Sequence, residues 1–123
     1  MKNVRPLLSV IIPAIKVDLE LKRCIDSVRL ACGFDNLRCE IILVMPMSEI
    51  KLAEAEIEGV NNFITESRKG IYSAMNDGIS VCGGRYLFFL GKDDIVLTPF
   101  GKMLDELSFV SCSAAFCDVY WGM

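Results

Sequence analysis

Two kinds of apolar pattern alternate along the chain. LLSVII (7–12) and CEIILVM (39–45) are almost continuously apolar, rich in β-branched side chains and stopped by Pro13 and Pro46, so both read as buried strands. YLFFL (86–90) has the same unbroken character and predicts a central strand covered on both faces. A weaker strand is expected over 60–65, where two asparagines lower the propensity. Between these runs the period changes. Leu21, Cys24, Ile25 and Val28 recur at helical spacing over 18–32, with Gly33 placed to stop the helix. Ile71, Ala74, Met75 and Ile79 predict a second helix over 70–81 with those residues inward, ended by Gly83-Gly84. Ser48 is placed to cap a helix over 49–58, and Thr98-Pro99 a helix to about 108, with a last strand over 114–121. Strands alternating with helices predict right-handed βαβ units: one α/β domain over 1–123, a mostly parallel sheet between two helical layers.

Composition narrows the chemistry. Apolar residues make up 53% and mean hydropathy is +0.43, so either the core is unusually rich or some apolar surface awaits a cover. The net charge of −3, with no long run of either sign, gives no footprint for nucleic acid or an anionic membrane. Histidine is absent, which leaves carboxylates, lysines, hydroxyls or a hard metal to carry any reaction. No stretch approaches the ~20 apolar residues of a membrane-spanning helix. The first apolar run is broken by Pro13 and lacks a small-residue cleavage site, which fits a strand better than a signal peptide. Six cysteines without a C-x-x-C pair then suggest the cytoplasm, with the thiols reduced and buried as small hydrophobes.

The candidate chemistry lies where the strand over 86–90 stops. Gly91-Lys-Asp-Asp94 leaves the sheet at a strand's carboxyl end, the edge at which open α/β sheets bind ligands. Two adjacent carboxylates repel, so Asp93 and Asp94 call for good solvation, hydrogen-bond donors or a cation. They suit either a solvated turn or a hard divalent ion, Mg²⁺ or Mn²⁺, bound by one or two carboxylates together with substrate phosphates.

The wider pattern bears on that choice. Ala74-x-Asn76-x-Gly78-Ile79, Gly84-x-Tyr86-x-x-Phe89-Leu90 and Asp93-Asp94, in this order, resemble the family 2 glycosyltransferases of the GT-A fold. GIYSAMNDG (70–78) is close to the "GIYDAMNKG" of bacterial polysaccharide-building members. The resemblance implies a Rossmann-like GT-A three-layer α/β/α sandwich, here the nucleotide-binding half without the acceptor half. It implies that Pro13, Ala14 and Ile15 stand where the family's Pro-Thr-Tyr loop holds the base, although only the proline agrees. Arg68, beside Lys69, falls in a base-contacting region, where two cations at a helix N-terminus suit an anion and equally suit a solvated loop. Asn76 would bond the donor, tie the helix to the metal loop, or cap backbone. Lys92-Asp93-Asp94 occupies the D-x-D position, with Asp94 first and Asp93 second as metal ligands. Lys92, in place of the first acid, would either add charge for the donor or repel the metal.

The departures matter as much. Val44-Met45-Pro46-Met47-Ser48 replaces the family's "VVDDGS", so the nucleotide-bonding acid is gone, a loss of roughly 1–3 kcal/mol. Ser73 replaces an aspartate. The family's catalytic base lies beyond the region similar to Asp118-Val-Tyr120, so no catalytic residue is assigned. The resemblance thus implies transfer of a sugar from a nucleotide-diphospho-sugar, UDP-linked, to a saccharide or lipid-linked acceptor in surface polysaccharide synthesis, assisted by Mn²⁺ or Mg²⁺. Activity of the isolated chain is expected to be weak or absent. The rival from another class is a non-catalytic interaction domain that keeps the fold and pairs two chains. A dinucleotide-binding domain ranks far lower, because no G-x-G-x-x-G follows the first strand.

Overall fold

The computed structural model describes residues 5–35, 37–97 and 99–109. The expected strand over 114–121, the Thr98 cap and Asp118 lie outside these residues. The elements are β1 (Leu8–Pro13), α1 (Leu19–Ala31), β2 (Cys39–Met45), α2 (Met47–Glu56), β3 (Asn62–Thr65), α3 (Ile71–Val81), β4 (Tyr86–Phe89) and α4 (Pro99–Phe109). The four strands form one parallel sheet in the order β3-β2-β1-β4. From β1 to β3 the chain steps one way across the sheet, with α1 and α2 on one face. It then crosses back to β4, and a right-handed crossover in the reverse direction sends α3 to the opposite face.

The main core lies on the α1 side. Leu8, Val10 and Ile12 of β1 and Ile41, Leu43 and Met45 of β2 are buried there against Leu21, Cys24, Ile25 and Val28 of α1 and Leu104 and Leu107 of α4. Phe88 of β4 meets Phe100 of α4 with ring centroids 5.3 Å apart. The α3 side is thinner, a cluster of Ile11, Ile42, Val44 and Ala74.

Several expectations change. The inward residues of α3 are Ala74 and Gly78, while Ile71 is 57% exposed and Ile79 half-covered. The reason is close approach: a Cβ on Gly78 would stand 2.5 Å from Ile11 Cγ2, so only small residues fit beneath the helix. Among the described residues β4 is an edge strand paired only with β1, and Leu87 (43%) and Phe89 (38%) are exposed on the α3 side, so it is not covered on both faces. β3 is shorter than expected, four residues. α2 begins at Met47 directly after Pro46, and no side chain caps it, so Ser48 is inside the helix and is not its cap. Cys32, the C-cap of α1, is joined to Cys39 at the start of β2 by a disulfide with Cα atoms 6.2 Å apart, because the turn between them brings the helix end back to the sheet. Those two sulfurs are not the reduced thiols expected; Cys24 and Cys82 are free.

One polar network at the far end of the sheet fixes β4. Ser9, fully buried in β1, donates to the Glu40 carboxylate, which also accepts from the Gly83 N–H. The Gly84 N–H donates to Ser9 Oγ at 2.8 Å. A Cβ on Gly84 would lie 2.5 Å from the Ser9 nitrogen, which explains the glycine pair ahead of the strand.

Candidate functional site

Because all four strands are parallel, their carboxyl ends open on one edge of the sheet, and the loops after β1, β3 and β4 carry the residues singled out from sequence. After β1, the Ala14 N–H is used by the sheet, donating to the Val44 carbonyl at 3.0 Å; the Ala14 side chain is buried and Ile15 is 70% exposed. After β2, Met45 is fully buried and Pro46 leads straight into α2, whose Glu49 reaches back to accept from the Val17 N–H at 3.3 Å.

After β4, the chain makes a turn closed by the Asp94 N–H on the Gly91 carbonyl at 3.0 Å. Asp93 and Asp94 are both exposed, and their carboxylates fold back over Gly91. A Cβ built on Gly91 would lie 2.7 Å from Asp94 Oδ2 and 3.4 Å from Asp93 Oδ1. One oxygen of each carboxylate thus lies within 3.4 Å of the same point beside Gly91, and among the described residues neither takes part in an ion pair. No group of three or more metal-ligating side chains occurs among those residues. Two converging carboxylate oxygens fit a hard divalent cation whose remaining positions come from diphosphate and water, and do not fit a closed all-protein metal cage.

Lys92 points elsewhere. Its Nζ donates to Asp18 Oδ2 at 2.8 Å and lies 3.9 Å from Glu20 Oε1. Asp18 is also the N-cap of α1, accepting from the Leu21 N–H at 2.9 Å. The hydrogen bond from Lys92 holds the Asp18 carboxyl below its ordinary value, and the same bond raises Lys92 above its own. Two further contacts join α1 to this loop: Cys24 Sγ donates to the Gly91 carbonyl at 3.5 Å, and the Val96 N–H donates to Ser27 Oγ at 3.0 Å. Burial, and then the charges of Asp94 and Asp93, push the Cys24 thiol up to about 12.

After β3, Arg68 and Lys69 are exposed, with no ion pair among the described residues, ahead of the α3 N-terminus, where Gly70 takes a φ of 116° and no side chain caps the helix. The loop is fastened by Asp77: the Ser67 N–H donates to its Oδ2 at 2.7 Å and Ser67 Oγ to its Oδ1 at 2.9 Å. Asn76 is exposed in mid-helix, not at a helix end. Sequence reasoning missed Asp18, Cys24, Ser27, Ser67 and Asp77. Asp18 carried a signal, since an acid ahead of an apolar-periodic run marks an N-cap, but nothing in the sequence pairs it with Lys92. A cavity of about 230 Å³ lined by Arg29, Phe34, Cys32, Cys39 and Asn61 lies at the opposite, amino-terminal end of β2, away from these loops.

The profile of Glycosyl transferase family 2 matches residues 9–121. The chain is 33% identical over 96 residues to a PGL/p-HBAD biosynthesis glycosyltransferase of Mycobacterium bovis, covering 72% of this chain and 36% of that protein. It is 36% identical over 125 residues to the minor teichoic acid biosynthesis protein GgaB of Bacillus subtilis, covering 89% of this chain and 14% of the relative. Among solved structures, S. aureus TarS 1-349 superposes with a TM-score of 0.67 at 16% identity, covering 81% of this chain and 31% of that one, which supports the fold alone. The chain thus spans about a third of the mycobacterial relative's length.

Proposed function

This chain belongs to glycosyl transferase family 2, and on that premise we propose that it holds the donor in sugar transfer. The donor is a nucleotide-diphospho-sugar, UDP-linked, and the acceptor a saccharide or lipid-linked sugar of a surface polysaccharide. The observation that carries this reading is the convergence of Asp93 and Asp94 over Gly91 at the carboxyl edge of the sheet. A divalent cation held there would supply positive charge to the diphosphate leaving group. Asp94, with Asp93, would hold that ion. Pro13, Ala14 and Ile15 border the base, Asn76 of α3 bonds the donor, and Arg68 with the uncapped start of α3 offers an anion site. The relatives named for teichoic acid and PGL/p-HBAD biosynthesis support a role in building such polymers.

The test is calorimetric titration of UDP with and without Mn²⁺, repeated on Asp94→Ala. Metal-dependent binding is expected, weakened at least tenfold in the variant, since even removing an outer-shell partner of a metal ligand costs roughly 10–100-fold. No binding at millimolar UDP by folded protein would overturn the reading. A second reading, an interaction domain, is favoured by Leu87, Phe89, Ile79 and Val81, apolar side chains that the described residues leave exposed. Absent UDP binding together with a concentration-dependent mass in ultracentrifugation would favour it.

A further inference from the structure

The loop that presents Asp93 and Asp94 is held from one side, by α1. Its anchors fall at Gly91 through Cys24, at Lys92 through Asp18 and at Val96 through Ser27, and so bracket the two exposed carboxylates. The Lys92 and Asp18 side chains are only 24% and 22% exposed, so their ion pair is sheltered as few surface pairs are. We propose that Lys92, which stands where the family pattern has the first acid of D-x-D, is a positioning residue. It ties the loop to the start of α1 through Asp18, and it contacts neither donor nor metal. The proposal rests on the reading of Asp93 and Asp94 as the donor's metal-binding pair.

Two accounts of residue 92 then make opposite predictions. If lysine is simply a defect in D-x-D, Lys92→Asp restores the acid and strengthens metal-dependent binding. If lysine is the anchor, that substitution sets a carboxylate against Asp18 and Glu20, and repulsion lifts the loop away from α1. The truncated side chain of Lys92→Met gives up the anchor without adding repulsion. Asp18→Asn gives it up from the other side while keeping an oxygen for the Leu21 N–H, so α1 stays capped. Lys92→Arg keeps the pair.

Each variant is titrated with UDP in the presence and absence of Mn²⁺, its thermal midpoint is recorded, and amide exchange over 91–96 is followed without ligand. Lys92→Met and Asp18→Asn are expected to lose about tenfold in Mn²⁺-dependent UDP affinity, as supporting groups of metal sites do. Lys92→Asp should lose more and Lys92→Arg nearly nothing, with metal-free UDP binding unchanged throughout. Exchange at 91–96 should quicken in the three weakened variants and stay as in the wild type for Lys92→Arg. Wild-type-like or tighter Mn²⁺-dependent binding by Lys92→Asp or Lys92→Met, or unchanged loop exchange in Lys92→Met, overturns the proposal and leaves the donor-site reading standing. A wild-type protein whose UDP binding ignores both Mn²⁺ and Asp94→Ala overturns both.

Discussion

At the scale of single residues, the loop after β4 turns a buried thiol into a structural hydrogen-bond donor. Cys24 is fully buried, and its raised value of about 12 keeps it protonated at any physiological pH, able to donate to the Gly91 carbonyl. An acid whose folded value is raised contributes stability in full below its unfolded value, near 9.0 here. That contribution fades as the pH climbs from there toward 12, since the unfolded thiol ionises first. Cys24 should therefore resist iodoacetamide at pH 8 in the native protein and react once the chain unfolds, as read by peptide mapping; labelling as fast as in denaturant would contradict this. The sequence identified Cys24 as an inward position of α1, because burial follows helical period. It could not show that this sulfur meets a carbonyl 67 residues later, since no local pattern encodes such a contact. Lys92 is the same case: its departure from D-x-D was visible, and its partner was not.

At the scale of elements, periodicity located α1, β2 and α3 to within a residue or so, because each has a strong apolar pattern between clear stops. On α3 it placed Ala74 inward, as found, but also Ile71 and Ile79, which stay exposed. Hydrophobicity pointed to Ile71 and Ile79, yet distance to the sheet decides, and the helix runs so near Ile11 that Ala74 and Gly78 form the contact. Gly78→Ala should thus destabilise the fold by about 1–3 kcal/mol through overpacking, even though alanine is the better helix former. Urea denaturation measures it, and a gain in stability would show that Ile11 yields freely. β4 is a related case: an unbroken apolar run signals two covered faces, and among the described residues nothing covers Leu87 and Phe89 on the α3 side. The Cys32–Cys39 link was equally hidden, since it depends on how the turn at Gly33 and Phe34, both at positive φ, returns the chain to the sheet.

At the scale of the whole molecule, the parallel order β3-β2-β1-β4 is what gathers separate loops onto one edge, and it followed from the alternation of elements that the sequence made plain. The position of the candidate site was legible for that reason, whereas its supports were not, because they run between elements distant in the chain. One such support reaches beyond this protein. If residue 92 is held by residue 18, the two positions form a single character, and substitutions there are free only in pairs. Related sequences with lysine at the position of Lys92 should carry an acid at that of Asp18, while those with the full D-x-D should be released from that requirement. An alignment of family members sorted by residue 92 tests this, and independence of the two positions would count against it. A search that scores acids alone would class such lysine-bearing members as defective; scored as a pair, they become a second way of building the same turn.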